Sequence, residues 1–357
     1  MQTPQSLYTK YSEVLACPAC RGSLDLNGLE LTCTGCRKVY KTDSGVPLLF
    51  YPHDPEQQKG DVTEVVKAFY EENPFPNYDD IDSEETLVEK ARRGVFARLL
   101  DEQIPQGAFV LEVGCGTGQL TNFLGMHYNR KVFGSDMCLH SLRLANGFRD
   151  RCGIKNAGFV QMNLFRPCFK EHSFDLVVCN GVLHHTADPL GGFESIARLV
   201  KPNGAIIIGL YNKIGRLPTD FKRFLFRVSA DKLSFLDAHM RNKQYNADRK
   251  RAWFFDQYKH PHESKHTYSE VIDWFEANGF EYLFSIPKIE AGAFSNDEQL
   301  FVKHDKGTRL IRFFTELEML LQGGVDGALY IMIGRKQDGS RSVASRKTVS
   351  MGSPSGN

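Results

Sequence analysis

The sequence predicts an α/β protein: a doubly wound, mostly parallel sheet of seven strands, preceded by a small four-cysteine module. Three observations carry this. From residue 105 onward, short apolar runs of strand length alternate regularly with amphipathic helical segments. One of these runs leads straight into three alternate glycines, in the stretch VLEVGCGTGQL at 110–120. Strand, glycine-rich turn and helix is the arrangement in which backbone N–H groups and a helix N-terminus face a ligand. Ahead of this, two CxxC pairs flank a hairpin signal.

At 357 residues the chain is long enough for one large domain with appendages. Its net charge of +1 excludes a global bias toward nucleic acid or membrane. The charge is unevenly placed, however: residues 54–102 hold 14 Asp/Glu against 6 Lys/Arg, and residues 213–251 hold 11 Lys/Arg against 4 Asp/Glu. A solvated face is the default reading of both, and a substrate-facing basic surface is the sharper one. The first residues lack the apolar core of a signal peptide, and no run of about 18 apolar residues offers a membrane span. Nine cysteines, four of them in CxxC pairs, point to reduced thiols and a metal, so a cytoplasmic location is expected.

Residues 15–50 open the folded chain. Cys17 and Cys20 form one pair and Cys33 and Cys36 the other, each able to supply two thiolates to a tetrahedral zinc ion. Between them Leu24, Leu26, Leu29 and Leu31 flank Asn27-Gly28, a hairpin turn. Some forty residues bury too little core to fold unaided, so the expected zinc is structural, and four thiolates leave no position open for catalysis. In the linker that follows, Val65, Val66, Phe69 and Tyr70 take helical spacing until Pro74 and Pro76 stop the helix. Tyr70, Asn73 and Tyr78 are lid candidates; packing of the linker onto the domain is the plainer reading. A helix is expected over 84–103, with Leu87, Val88, Ala91, Val95 and Leu99 on one face.

Strands are then expected at 109–113, 131–136, 157–164, 174–182, 204–212, 280–287 and 328–336. The basic, aromatic stretch 213–266 interrupts the alternation as an insertion above the C-terminal edge of the sheet. Thr267 and Glu270 form a capping box, and Thr308 caps an apolar helix through Ile311, Phe314, Leu317 and Leu321. Residues 337–357 read as a disordered tail.

Two nucleotide readings of the glycine loop fail. A dinucleotide fingerprint needs glycine where Gln119 or Thr121 stands, and a P-loop needs a Lys-Ser/Thr pair that is missing. What remains, Glu112-x-Gly114-x-Gly116-x-Gly118, is the S-adenosylmethionine pattern. Asp136, ending the second strand of the sheet twenty residues after Gly116, can accept both ribose hydroxyls. The segment His262-Glu263-Ser-Lys-His266 spells the zinc-protease motif but follows Pro261 and lacks an apolar helix face, so that reading is rejected. His260, His262 and His266 stay candidates for reaching the cleft.

Two resemblances add to this. Cys17-Pro18-x-Cys20, Cys33-x-x-Cys36 and the closing Tyr40…Gly45-Val46-Pro47-Leu48-Leu49 resemble the zinc-ribbon activator subunits that bind and stabilise RNA and release-factor methyltransferases. VLEVGCGTGQL, FGSDMCLHSL, FVQMNL, FDLVVCNGVLHHTADP and ARLVKPNGAIII resemble class I S-adenosylmethionine-dependent methyltransferases, nearest the ubiquinone/menaquinone-biosynthesis type. The resemblance implies a Rossmann-like methyltransferase fold. It also implies that Glu112, Gly114, Gly116 and Gly118 bracket the methionine end, Asp136 holds the ribose, and Met137, Met162, Asn163 and Leu164 surround the adenine. Asn180 falls near the sulfonium. His184, His185 and Tyr211 are the candidate catalytic residues, with His184 as proton acceptor; a helix-capping or loop-packing histidine is the plainer reading for at least one of the histidine pair.

The expected organisation is a zinc-ribbon module over 1–52, an acidic linker with lid helices over 53–104 and a cofactor-binding core over 105–212. A substrate insertion over 213–266, the rest of the sheet over 267–336 and a tail over 337–357 follow. The leading functional reading is methyl transfer to an O, N or C nucleophile of a small molecule, roofed by Phe221, Phe224, Phe226, Trp253, Phe254 and Phe255. An RNA methyltransferase is the alternative: the ribbon is similar to the four-cysteine site of rRNA guanine methyltransferases, and RNKQYNADRKRAWFF is basic enough to contact phosphates. A cofactor-binding interaction protein, docking through its ribbon, is the reading of another class.

Overall fold

The computed structural model describes residues 12–53, 61–76, 83–243, 245–289, 292, 294–322 and 325–338. Tyr78, the linker stretch 54–60 and positions 339–357 of the expected tail lie outside them.

The cysteine module is a four-stranded antiparallel sheet of β1 (Leu24–Asn27), β2 (Glu30–Cys33), β3 (Val39–Asp43) and β4 (Val46–Pro47). Its first hairpin turns at Gly28, whose φ of +67° is the left-handed conformation the Asn-Gly signal implied. The large sheet holds seven strands: β5 (Phe109–Val113), β6 (Lys131–Asp136), β7 (Ala157–Gln161), β8 (Phe174–Asn180), β9 (Val200–Tyr211), β10 (Phe280–Ile286) and β11 (Leu329–Lys336). Their order is β10-β11-β9-β8-β5-β6-β7. β5 to β9 run parallel, and β11 is antiparallel to both β9 and β10. The central strands are buried on both faces, which is why they read as continuous apolar runs. The chain leaves β5 toward β6 on one side and returns to β8 on the other. The crevice beyond the carboxyl ends of β5 and β8 is therefore the topological switch point.

Helices α1 (Thr63–Glu72), α2 (Glu84–Arg93) and α3 (Val95–Gln103) precede the sheet. The single helix expected over 84–103 is broken at Gly94, which is extended (φ −83°, ψ 114°), the residue least costly to take out of a helix. Between strands lie α4 (Gln119–Gly125), α5 (Leu139–Arg151) and α6 (Pro189–Ala197). The insertion carries α7 (Leu217–Val228), α8 (Ala238–Arg241) and α9 (Ala247–Phe254), the last running into a π-helical turn at Phe255–Lys259. α10 (Tyr268–Ala277) starts at the capping box: Thr267 Oγ1 accepts from the Glu270 N–H at 3.2 Å and Glu270 accepts from the Thr267 N–H at 2.6 Å. α11 (Arg309–Leu321) turns its apolar face outward, burying Arg312, Thr315, Glu316 and Met319 instead. No helix among the described residues is long and apolar enough to cross a membrane.

The cysteine module does not stand apart. Leu48 bridges in parallel to Gln161 at the end of β7, so the module covers what would be a free sheet edge. Leu15 pairs with Phe169, Arg21 donates to the Pro167 and Phe169 carbonyls, and Arg143 makes a two-point contact with Asp43 at 2.8 and 3.1 Å. Leu24, Leu31, Leu49 and Cys33 sit in one apolar cluster with Phe133, Val160, Phe169 and Phe174. A unit too small for its own core thus shares that of the large sheet.

Candidate active site

The floor of the site is the turn after β5. Gly114 (φ +71°) and Gly116 (φ +51°) are left-handed, and a Cβ would strike Val182 at the first and the Phe75 carbonyl at the second. Gly118, also left-handed, opens α4 but does not line the cavity; it faces Phe159 and Ala145. A Cβ there would strike both side chains, so glycine permits close helix–strand packing at this position. Glu112 accepts from the N–H and hydroxyl of Thr121, yet burial pushes its carboxyl up to about 7. Asp136 accepts from Gly116 N–H and Cys138 N–H, both at 2.8 Å. Burial raises its carboxyl as well, against those bonds. Each Asp136 oxygen keeps a lone pair for a ligand, and the residue lines the cavity.

This cavity encloses about 500 Å³, within the range of small-molecule sites. Met137, Met162 and Leu164 form an apolar slot beside Asp136. Asn163 is there too, but its amide is committed: Nδ2 donates to the Tyr51 carbonyl at 3.1 Å and lies 3.1 Å from His53 Nδ1, and Oδ1 accepts from Phe165 N–H. Asn163 ties the chain leaving the cysteine module to the cavity rim. Gln161, bridged to Leu48, donates to the Met137 carbonyl at 2.9 Å.

The roof is the segment before the core. Tyr70, Phe75 and Pro76 line the cavity, and Thr117 donates to the Pro76 carbonyl. Glu71 accepts from the Leu139 and His140 N–H groups, capping α5 and fastening the strap. Asn73 is not at the cavity; it caps α1, its amide donating to Phe69.

The far wall holds the groups suited to an acceptor. Asn180 ends β8 there, and His185, Tyr211, Trp253, Asp256 and Gln257 face the same space. Tyr70 donates to Asp256 at 3.2 Å, and Gln257 Nε2 donates to both Asp256 (2.9 Å) and the Tyr211 hydroxyl (2.8 Å). Burial pushes the Asp256 carboxyl up to about 6. His185 Nδ1 donates to the His262 carbonyl at 2.9 Å, which fixes the tautomer whose Nε2 carries a lone pair. Burial and the neighbouring His260 keep His185 neutral.

Of the expected catalytic residues, His185 and Tyr211 reach the cavity and His184 does not. Its ring is fully buried behind the wall, with centroids 4.1 Å from Tyr211 and 4.2 Å from His185, and burial drives its pKa well down. It cannot meet an acceptor. His260 stacks on His185 at 3.6 Å, but none of His260, His262 and His266 lines the cavity. Glu263 is an anchor: it takes a two-point contact from the fully buried Arg216 (2.7 and 3.1 Å) and a single hydrogen bond from Arg223 (2.8 Å). Burial alone would raise its carboxyl, but the two guanidinium groups outweigh it and hold it at about 2. Arg216 also stacks on the Tyr211 ring at 3.6 Å and donates to Gln257, so it stiffens the wall. R216K keeps the charge but loses fork and stack, and should lower the unfolding free energy by about 2 kcal/mol in urea titration; an unchanged midpoint would count against this.

Of the six aromatics expected to roof the acceptor, Trp253 alone lines the cavity. Phe226 and Phe254 pack with Tyr258, and Phe221 and Phe224 face solvent. Sequence reasoning missed Asp256 and Gln257. Their one signal was an isolated acidic residue inside the aromatic run Trp253–Tyr258.

The four cysteine sulfurs lie within 4.8 Å of one another, with Cys17–Cys36 at 3.7 Å and Cys20–Cys33 at 3.4 Å. Tetrahedral zinc with Zn–S bonds of about 2.3 Å sets sulfurs roughly 3.8 Å apart, so the cluster fits.

Residues 111–208 match the methyltransferase domain family, and residues 10–41 match the Trm112p-like protein family. An uncharacterized protein of a Synechococcus strain is 27% identical over 197 residues, 49% of this chain and 47% of that one. The ubiquinone biosynthesis O-methyltransferase of a Neisseria meningitidis serogroup A strain is 32% identical over 111 residues, 30% of this chain and 45% of that one. The chain thus spans about half the length of these relatives. The structure of PKMT2 from Rickettsia typhi in complex with AdoHcy aligns over 65% of this chain and 49% of its own at 17% identity, with a TM-score of 0.47. The seven-stranded sheet thus holds, over residues 111–208, a segment similar to the methyltransferase domain family, and the four-cysteine cluster falls within a Trm112p-like segment over residues 10–41.

Proposed function

We propose that the protein transfers a methyl group from S-adenosylmethionine to a small molecule bound against the wall of Tyr70, Asp256, His185 and Tyr211. The observation that carries this is one continuous cavity lined both by Asp136 and the glycine turn and by that polar wall. When bound, the cofactor supplies a methyl group already activated by positive sulfur. The chain aligns the acceptor and excludes water. Asp136 is suited to the ribose hydroxyls, Met137, Met162 and Leu164 to the adenine faces, and Glu112 with Gly114 and Gly116 to the methionine end. D136A should weaken cofactor binding roughly 100-fold in calorimetric titration, since two charge-assisted hydrogen bonds disappear; a change within threefold would remove Asp136 from the site.

An acceptor hydroxyl or amine must shed a proton as its bond to the methyl carbon forms and the carbon–sulfur bond breaks. Asp256 is the group we assign to receive it, with Tyr70 and Gln257 holding the carboxylate and Tyr211 orienting the acceptor. Similarity to the Neisseria ubiquinone biosynthesis O-methyltransferase supports an oxygen acceptor. Incubation with methyl-labelled cofactor and a fractionated cell extract tests the reading. Label should enter the small-molecule fraction and be lost in D136A. Label in RNA or protein, or in no fraction despite cofactor binding, would replace it.

A further inference from the structure

One face of the insertion is built for something other than the cavity. In α7, Leu217, Phe221, Phe224 and Val228 recur at i, i+4, i+7 and i+11, and all four are exposed, Phe221 by 63% and Val228 by 70%. Phe235 and Leu236 extend the apolar surface after the helix. α11 meets the foot of α7, where Gly215 packs on Met319, and it too presents Leu310, Phe313, Phe314 and Leu321 outward. A folded chain rarely leaves two neighbouring helices apolar toward water without a use for them.

The charges carried by the same insertion say what covers the stripe. Arg227, Lys232, Arg241 and Lys243 are exposed and make no ion pair with the described residues. The acids of the segment are mostly spent: Asp220 on Lys265, Asp231 on Lys259, and Asp237 buried against Tyr258, which leaves Asp248 exposed. A second copy docking across a two-fold would set this basic collar against itself. RNA would satisfy the collar but leave Leu217, Val228 and Leu321 in water.

We infer that this face seats the protein on an anionic lipid bilayer, with the aromatic and aliphatic stripe in the headgroup boundary and the basic side chains on lipid phosphates. The inference goes beyond the catalytic reading and does not need it. The same insertion supplies Trp253, Asp256 and Gln257 to the cavity, so docking brings the acceptor wall beside the lipid surface.

Vesicle co-sedimentation of the full, zinc-loaded chain tests it without any methyl transfer. Binding to mixed phosphatidylglycerol–phosphatidylcholine vesicles should exceed binding to pure phosphatidylcholine by roughly tenfold and fall with added salt. The double variant F221S/F224S should lose most of it, and R241E/K243E should lose the anionic preference. Both should bind S-adenosylmethionine as the parent does, which shows they are folded. Equal sedimentation of F221S/F224S and parent would overturn the inference. So would failure to bind anionic vesicles, a concentration-dependent dimer dissolved by F221S/F224S, or RNA binding that needs the collar but not the phenylalanines while vesicles are ignored.

Discussion

Stripping the zinc with a chelator should lower the thermal midpoint by about 10 °C, since structural zinc contributes several kcal/mol and a domain of this size shifts a few degrees for each. C17S/C20S should do the same without chelator. The effect should not stop at the ribbon. Leu24, Leu31 and Leu49 belong to the apolar cluster of Phe133 and Phe169, so unfolding the ribbon exposes one side of the sheet. It also frees the β7 edge at Gln161 and removes the Tyr51 carbonyl from Asn163. Because Gln161 and Asn163 shape the rim beside Met137 and Met162, cofactor affinity should fall roughly fivefold, about 1 kcal/mol. Differential scanning calorimetry with metal analysis, followed by cofactor titration, reads both effects. Zinc loss that moves neither midpoint nor affinity would make the ribbon a passenger.

D256N should reduce turnover roughly 1,000-fold, within the range for loss of a positioned proton acceptor, while cofactor affinity stays near that of the parent. The pH profile gives the sharper readout. Burial pushes the Asp256 carboxyl up to about 6, so the group holds its proton below that pH and can accept one above it. Turnover of the parent should rise as pH passes through about 6 and then level, and D256N should lack this limb. H185Q separates the two wall groups. Neutral throughout this range, His185 should affect KM and turnover without moving that limb. An unaltered limb in D256N would assign the proton to another group.

How much of this was legible in the sequence follows from how local each requirement is. Gly114, Gly116 and Asp136 were readable because a backbone turn and a strand-end carboxylate are specified by spacing alone. The cysteine pairs and the Thr267–Glu270 box are local in the same sense. The hydrogen bonds of Asn163 were not legible, because its partners, Tyr51 and His53, lie more than a hundred residues away in the chain. The choice between His184 and His185 depends on the 3-10 turn Leu183–His185, which sends one ring behind the wall and the other into the cavity. Asp256 and Tyr70 come from opposite sides of the core, and nothing short of the folded insertion brings them within 3.2 Å. The apolar periodicity of α11 gave the helix but not its orientation, because a stripe facing solvent and a stripe facing core have the same spacing.

The most direct measurement is a crystal structure with bound S-adenosylhomocysteine. The ribose hydroxyls should lie within hydrogen-bond distance of Asp136, the adenine between Met137 and Leu164, and the sulfur should point at the wall of Tyr70, Asp256, His185 and Tyr211. A ligand that binds with its sulfur turned from that wall, or that leaves Asp136 untouched, would contradict the assignment of this cavity as the seat of methyl transfer.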